Sequence, residues 1–235
     1  MRNKIVISVC MVTFNGERFL KEQLDSILSQ LSTDDELIIS DDSSTDDTTQ
    51  IIECYNDSRI KLLKDNSFHS PVYNLENALR HSRGDFIFLS DQDDVWLPGK
   101  VKIMLEHLQR YDCVVSDAKV VDGECNVIHK SFFELNHSGP GLFRNIVKNG
   151  FLGCCMAFNR TILDKVLPFP NPIPMHDTWI GLVAEKYGTT FFLNEPLILY
   201  RRHGANASPT AEKSRYSITE KIYHRYLFAK NIIQR

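Results

Sequence analysis

The sequence lacks the patterns that define several other protein classes. Its 27 basic and 30 acidic residues give a formal net charge of −3, without the basic excess of a general nucleic-acid binder. No apolar run approaches the roughly 20 residues that cross a bilayer. Residues 5–12 are too short for a signal peptide, and no small-residue cleavage site follows them. We therefore expect a protein that neither binds nucleic acid nor spans a membrane.

Cysteine occurs six times, but in no pattern that binds zinc or forms a redox pair. Several of the cysteines lie in apolar runs, as small buried residues do in proteins of a reducing compartment. The hydrophobic content of 43% is enough to bury one substantial core. These features favour a cytoplasmic globular protein. The six residues are Cys10, Cys54, Cys113, Cys125, Cys154 and Cys155.

Three carboxylates, Asp91, Asp93 and Asp94, follow directly after the apolar stretch at residues 86–89. Open α/β sheets bind their ligands at the carboxyl ends of strands. Clustered carboxylates repel one another there unless a cation neutralises them, and Mg²⁺ and Mn²⁺ prefer oxygen ligands of this kind. The run therefore predicts a metal site that holds a phosphate. The alternative is an acidic turn that ends a strand.

Strands and helices are predicted to alternate over the first ninety residues. The near-continuous apolar run at residues 5–12 is typical of a strand buried on both faces, and a helical spacing of apolar residues follows it. A second strand at residues 36–40 precedes a helix that we expect Thr45 to cap. A third strand at residues 59–63 precedes a helix at residues 72–81. This alternation predicts a doubly wound, mostly parallel sheet with polar clusters at strand ends.

Three motifs, in this order, resemble the family 2 glycosyltransferases, which use nucleotide sugars and have the GT-A fold. They are Val-Thr-Phe-Asn-Gly-Glu at residues 12–17, Ser-Asp-Asp-Ser-Ser-Thr-Asp at residues 40–46, and residues 82–96, which end in Asp-Gln-Asp-Asp-Val-Trp. The resemblance implies an α/β, Rossmann-like central sheet flanked by helices. The third motif is similar to that of bacterial enzymes that build O-antigen, capsule or rhamnan polysaccharides.

The resemblance places the nucleotide against residues 1–95. Phe14 would stack on uracil or thymine, with core packing as the alternative. Asp42, or Asp41 beside it, would accept the imide N–H of the base. Asp91 would face the ribose, and Asp93 would coordinate Mn²⁺ or Mg²⁺ between the phosphates. Further nucleotide contacts are expected from Thr13, Asn15, Glu17 and Arg202, and a further metal contact from His203.

The second half, residues 96–205, is expected to bind the acceptor and supply the catalytic base. Asp177 aligns with the carboxylate that takes the proton of the acceptor hydroxyl in this family. It opens a helical pattern, so the alternative is a helix cap. Residues 150–158 are predicted to form an apolar strand in which Gly153 lets the donor sugar approach. Further sugar contacts are expected from Asp94, Trp96, His176 and Trp179.

A predicted strand at residues 197–203 ends in the basic cluster Arg201, Arg202 and His203. It resembles the Tyr-Arg-x-His element that lies near the diphosphate in the family. Either arginine could neutralise phosphate charge, and His203 could reach the metal or a phosphate oxygen. A structural role for His203 is the alternative.

The last thirty residues, 206–235, are predicted to form a basic amphipathic helix. From Lys213 onward six basic residues, with Arg215 the second, stand against the single acid Glu220, and aromatic and aliphatic residues interleave with them. A helix of this kind is typical of a membrane-surface element. The alternative is a helix that packs on the domain with a solvated basic face.

Together these features predict a metal-dependent, inverting glycosyltransferase with one catalytic domain at residues 1–205. It would transfer a hexose or deoxyhexose from UDP-glucose, UDP-galactose or dTDP-rhamnose to a lipid-linked saccharide in bacterial surface polysaccharide synthesis. A phosphatase of the haloacid dehalogenase type is one alternative, since Asp91-x-Asp93-x-Val95 imitates its nucleophile motif. Three strands precede that motif here and no Asp-Asp pair follows it, which disfavours this reading. The other alternative is a non-catalytic nucleotide-sugar-binding homologue.

Overall fold

The computed structural model describes residues 5–204 and 217–235. Over these residues the chain forms one nine-stranded sheet with helices packed against it. The strands are β1 (Ile7–Thr13), β2 (Glu36–Asp41), β3 (Ile60–Leu63), β4 (Phe86–Ser90), β5 (Val95–Trp96), β6 (Cys113–Val121), β7 (Val127–His129), β8 (Met156–Asn159) and β9 (Thr190–Arg201). The helices are α1 (Glu17–Leu28), α2 (Thr48–Cys54), α3 (Pro71–Arg80), α4 (Lys100–Leu108), α5 (Phe132–Asn136), α6 (Leu142–Val147), α7 (Arg160–Val166), α8 (His176–Tyr187) and α9 (Ile218–Gln234).

The first half of the sheet is parallel, in the strand order β3-β2-β1-β4. Helix α3 packs against β1 and β2, and β1 is buried along nearly its whole length. A strand covered on both faces is apolar throughout, which explains the continuous hydrophobic run of β1. The predicted α/β fold is confirmed. Because these strands are parallel, their carboxyl ends, with the polar residues that follow, lie along one edge.

The second half of the sheet is mixed. Strand β8 is antiparallel to both β4 and β6, whereas β9 runs parallel to β6. The short strand β5 pairs with the end of β9, so that Val95 lies opposite Leu199. This pairing brings the basic cluster at residues 201–203 to the acidic run at residues 91–94, about a hundred residues earlier in the chain.

Local structure differs from the sequence predictions in three places. Residues 150–158 are not one strand, because a 3₁₀ turn at Gly153–Cys155 precedes the short strand β8. A short apolar run does not by itself distinguish a strand from another buried segment. Thr45 is not the cap of α2, whose N-cap is Asp47, because Asp41 and Asp46 draw the intervening backbone into turns. Strand β9 begins at Thr190, well before the predicted start at residue 197.

The C-terminal helix α9 is present, as predicted. It begins with a capping box between Ser217 and Glu220 and packs on α6 and α8. Leu227, Phe228 and Ile232 are buried, and the last two join the hydrophobic core. The predicted tail residues Lys213 and Arg215 lie outside the described residues. Within the described part of the chain, no helix has both the length and the apolar character needed to cross a membrane.

Candidate active site

A cleft with a volume of about 470 Å³ opens at the carboxyl ends of the parallel strands. One part, which we call the strand-end side, consists of the end of β1, the residues that follow β1, β2 and β4, and the start of α3. The other part, the helix side, consists of residues 152–153 and the start of α8, and Tyr200 of β9 completes the lining. Half of the predicted site residues line the cleft, namely Thr13, Phe14, Asp42, Asp91, Asp93, Gly153, His176 and Asp177.

Phe14 projects from the strand-end side with 56% of its surface exposed. An aromatic ring exposed to this degree does not serve core packing, the alternative considered for it. Below it, the Asp42 carboxylate accepts hydrogen bonds from the backbone N–H groups of Phe68 (2.7 Å) and Ser70 (3.0 Å). Asp42 thus fixes the loop before α3, and its carboxylate keeps lone pairs for one further donor.

Four predicted nucleotide contacts lie outside the cleft lining, and three of them hold the loops beside it. Buried Asp41 accepts a hydrogen bond from the backbone N–H of Ser44 (2.8 Å). Asn15 accepts one from the backbone N–H of Thr45 (2.8 Å), and Glu17 accepts one from the residue that precedes α2. The bonds of Asn15 and Glu17 hold the loop after β1 against the loop after β2, and the bond of Asp41 shapes the loop after β2 itself. Asp42 lines the cleft and Asp41 does not, which makes Asp42 the candidate for the contact with the base.

The acidic run forms a tight cluster at the base of the cleft. Burial, Asp93 and Asp177 raise the pKa of Asp91 to about 7. Burial and the two neighbouring carboxylates also raise the pKa of Asp94 well above its usual range. The Nε2 atom of His203 lies 2.8 Å from Oδ2 of Asp93. The cluster therefore combines closely spaced carboxylates with one imidazole.

This donor set fits a divalent cation such as Mn²⁺ or Mg²⁺. Asp91 and Asp93 supply carboxylate oxygens, which such ions prefer, and His203 supplies a nitrogen suited to Mn²⁺. A cation would also offset the carboxylate repulsion that raises the pKa of Asp91. The Cys154 sulfur and carboxylate oxygens of Asp91 and Asp94 lie within 4.8 Å of one another. Burial raises the pKa of this thiol, and a thiol is a weaker ligand than a thiolate.

Asp177 stands on the helix side, only 7% exposed. Its Oδ1 accepts the backbone N–H of Thr178 (2.6 Å), and its Oδ2 accepts a long hydrogen bond from the side chain of Asn149 (3.3 Å). The N-cap of α8 is Met175, so Asp177 lies inside the first turn and is not the cap. There the helix dipole favours its negative charge.

His176 packs next to Asp177 against the 3₁₀ turn. A Cβ atom at Gly153 would lie only 3.3 Å from Nε2 of His176, so glycine at this position allows the close approach of α8. Burial lowers the pKa of His176, and the neighbouring Asp177 opposes the shift. The buried Nδ1 atom of His176 has no hydrogen-bond partner among the described residues.

Three predicted sugar contacts are buried below the cleft and do not line it. Trp96 and Trp179 are 2% and 1% exposed, and the Trp179 indole donates to the carbonyl of Val166. Asp94 is fully buried and accepts the backbone N–H of Arg201 (2.9 Å). Burial excludes direct sugar contact at these positions. The two tryptophans are core residues, and Asp94 supports the end of β9.

The two arginines of the basic cluster differ in their surroundings. Arg201 is 3% exposed, donates to the carbonyl of Asp93 (2.8 Å), forms an ion pair with Glu22 and lies over the ring of Phe19. Its contacts connect the acidic loop to α1, so it acts as a structural link and not as a phosphate ligand. Arg202 is half-buried and donates to the hydroxyl of Tyr200, a residue of the cleft lining.

Gln92 and His69 are among the residues of the cleft lining that were not predicted from the sequence. Gln92 lies within the acidic run, where the sequence predicted roles for the carboxylates only. His69 lies in the loop before α3 with a positive φ of 49°. Neither residue has a sequence pattern that indicates a site, because loop conformation and long-range contacts bring both to the cleft.

The chain belongs to glycosyl transferase family 2, whose family model matches residues 8–167. It is 30% identical over 240 residues to the dTDP-rhamnosyl transferase RfbG of Shigella flexneri. This alignment covers 92% of this chain and 81% of RfbG. It is 26% identical over 187 residues to WfgD of Escherichia coli, a UDP-Glc:alpha-D-GlcNAc-diphosphoundecaprenol beta-1,3-glucosyltransferase. That match covers 77% of this chain and 71% of WfgD.

The fold is similar to that of S. aureus TarS residues 1–349, solved in complex with UDP-GlcNAc. The TM-score is 0.74 at 20% sequence identity, over 96% of this chain. The chain spans 66% of the length of that TarS fragment. At this identity the likeness shows a common GT-A fold.

Proposed function

We propose that the protein is a metal-dependent, inverting glycosyltransferase that uses a nucleoside-diphosphate sugar and a lipid-linked saccharide acceptor in bacterial surface polysaccharide synthesis. One observation carries this proposal. A single cleft is lined by the exposed ring of Phe14, the carboxylates of Asp91 and Asp93, and the carboxylate of Asp177. These are the parts needed to hold a nucleotide diphosphate and to deprotonate an attacking hydroxyl.

The strand-end side would bind the donor. The base would stack on Phe14 and donate its imide N–H to Asp42, while the ribose would lie near Asp91. Asp93 and His203 would hold the cation, which in its bound state stabilises the charge of the departing diphosphate. Arg202, at the same end of β9, would add positive charge near the phosphates.

The helix side would perform the proton transfer. Asp177 would take the proton of the acceptor hydroxyl as that oxygen attacks the anomeric carbon. Thr178 and Asn149 hold the carboxylate in place through the hydrogen bonds described above. One in-line displacement of this kind inverts the anomeric carbon and needs no covalent glycosyl-enzyme. Gly153 and His176 complete this side next to the expected position of the donor sugar.

The names of the relatives indicate a class of donor, the pyrimidine nucleotide sugars, and not one particular sugar. RfbG is named for dTDP-rhamnose and WfgD for UDP-glucose. We therefore propose UDP-glucose, UDP-galactose or dTDP-rhamnose as the donor. Uracil and thymine both have an imide N–H, from which Asp42 would accept a hydrogen bond.

The test is a donor panel, measured as nucleotide release with Mn²⁺ and an acceptor saccharide on a lipid diphosphate. One pyrimidine nucleotide sugar should be consumed in an acceptor-dependent reaction, and product NMR should show an inverted anomeric configuration. Asp177→Asn serves as the matched control, since it keeps the size of the side chain but not the base. Retained configuration, or release equal in the parent and the control, would contradict the proposed mechanism.

We further propose that α6 and α9 form a surface for the anionic cytoplasmic membrane. Ile218, Ile222, Tyr226 and Ile233 are 57–77% exposed and repeat along one stripe of α9, while Phe143 on α6 is 83% exposed. Residues 142–148 and 217–235 contain six basic residues and one acidic residue, within a chain of net charge −3. Each basic side chain near an anionic surface contributes about 1 kcal/mol. The undecaprenol-linked acceptor named for WfgD agrees with this location.

Vesicle co-sedimentation tests the membrane proposal. Binding to phosphatidylglycerol vesicles should fall as salt rises, and Phe143→Ser with Ile222→Ser should weaken it. The control is Ile128→Ser, because Ile128 is similarly exposed (52%) but lies on β7. Equal binding by both variants, or no binding by the parent at low salt, would show that this surface does not contact membranes.

A further inference from the structure

The side chain of Gln92 forms a two-point hydrogen-bonded pair with the backbone of Phe14. The N–H of Phe14 donates to Oε1 of Gln92 (2.9 Å), and Nε2 of Gln92 donates to the carbonyl of Phe14 (3.0 Å). Two parallel bonds fix both the position and the plane of the backbone at this residue. The pair connects the loop after β1 to the acidic loop after β4, across 78 residues of sequence.

This pair has a particular importance for Phe14, since its ring is 56% exposed and is not held by the core. The direction of the ring therefore depends mainly on the backbone that carries it. We propose that Gln92 is a positioning residue, which holds the backbone of Phe14 so that the ring meets the nucleotide base. We also propose that residue 16 is glycine because the amide of Gln92 occupies the space of a side chain there.

The backbone of Gly16 does not itself require glycine. Its φ is −107°, in a region that any residue can adopt. A Cβ atom at Gly16 would lie 2.5 Å from Cδ of Gln92 and closer still to Oε1, and the three nearest atoms all belong to Gln92. Such contacts are too close, so the Gln92 amide would have to move. Because it is the free end of a flexible side chain, it can move without disrupting the fold, but it then loses both bonds to Phe14.

The inference rests on the proposed function, in which Phe14 stacks on the base. Its consequence is specific, because the amide of Gln92 is turned towards Phe14 while its neighbours Asp91 and Asp93 form the acidic cluster. Loss of the Gln92 amide should weaken binding of the nucleoside part of the donor. The attraction between the cation and the phosphates should remain.

The experiment is calorimetric titration of UDP and dTDP, with Mn²⁺ present, into the parent, Gln92→Ala, Gly16→Ala and the double variant. Each single change should weaken nucleotide binding about tenfold, since each removes two hydrogen bonds of modest net strength. Binding of inorganic pyrophosphate should change less than about twofold, because pyrophosphate has no base to stack on Phe14. Thermal unfolding of each variant provides the check that it is folded.

The double variant gives the decisive comparison. Without the Gln92 amide, a methyl group at residue 16 has room, so the double variant should bind UDP as Gln92→Ala does. A loss of nucleotide affinity of about a hundredfold in the double variant, the product of the two single losses, would show that the two sites act independently and would overturn the inference. Unchanged nucleotide affinity in a folded single variant, or an equal loss for pyrophosphate, would overturn it as well. A parent that binds neither nucleotide would instead overturn the proposed function, and this inference with it.

Discussion

The two sides of the cleft are built in different ways. On the strand-end side, side chains hold backbone groups through hydrogen bonds of 2.7–3.0 Å, as Asp42 does at Phe68 and Ser70 and Gln92 does at Phe14. On the helix side, the Asp177 carboxylate accepts a hydrogen bond from the adjacent backbone N–H of Thr178 (2.6 Å) and a long one from Asn149 (3.3 Å), and Nδ1 of His176 has no partner among the described residues. The strand-end side is therefore cross-linked between loops that are distant in sequence, whereas Asp177 is held mainly by the next residue of its own helix.

The largest effect is expected at the acidic cluster, on the strand-end side of the cleft. Asp93→Ala should abolish transfer, because it removes a carboxylate from the proposed cation site and the partner of His203. Removing divalent ions from the parent with EDTA should have the same effect, reversed by Mn²⁺ or Mg²⁺. Transfer assays with and without chelator measure both. Full activity after exhaustive chelation would show a cation-independent enzyme and assign the phosphate charge to other groups.

On the helix side, Asp177→Asn should lower kcat by about 10²-fold or more, the range of general-base contributions. UDP affinity should change little, because the proposed contacts with the base and the phosphates come from Phe14, Asp42, Asp93 and His203. Steady-state kinetics and UDP titration on the same preparation separate the two quantities. A variant that loses thermal stability but keeps its turnover per folded molecule would show that Asp177 is structural and that the base lies elsewhere.

A smaller effect is expected at Arg201, the link between the acidic loop and α1. Arg201→Met should lower the free energy of unfolding by roughly 3 kcal/mol, because it leaves the part-buried carbonyls of Asp93 and Gly123 without this donor and breaks a partly buried ion pair. Glu22→Gln is the control and should cost less than about 1 kcal/mol, since Glu22 is 54% exposed. Urea unfolding measures both. An equal loss of unfolding free energy in the two variants would mean that the ion pair, and not the partly buried hydrogen bonds, connects the acidic loop to α1.

Most of the parallel half of the fold could be predicted from the sequence. A strand buried on both faces is apolar along its length, as β1 is, and a polar residue at its end marks the edge where ligands bind. These are local consequences of burial, so they are visible in a short window of sequence. The ordered motifs around Phe14, Asp42 and Asp93 could be placed in the same way, and all three residues line the cleft.

The roles of the remaining residues depended on contacts that no short window contains. Sequence reasoning assigned sugar contacts to Trp96 and Trp179, yet both are buried in the core, because a tryptophan beside a site motif can point to either face of its element. It offered Arg201 and Arg202 equally as phosphate partners. Pairing of β5 with β9 places Arg201 beneath the acidic loop and leaves Arg202 near the cleft.

The sequence by itself determined the alternation of strands and helices, the acidic run and the family motifs, because burial period and motif spacing are properties of neighbouring residues. Only the tertiary structure decided that Gln92 meets Phe14 and that Asp177 faces the acidic cluster. Both contacts join segments nearly eighty residues or more apart, and their geometry depends on strand order and register. The same holds for Gly16, since the amide that occupies the space of its side chain comes from the loop after the neighbouring strand β4.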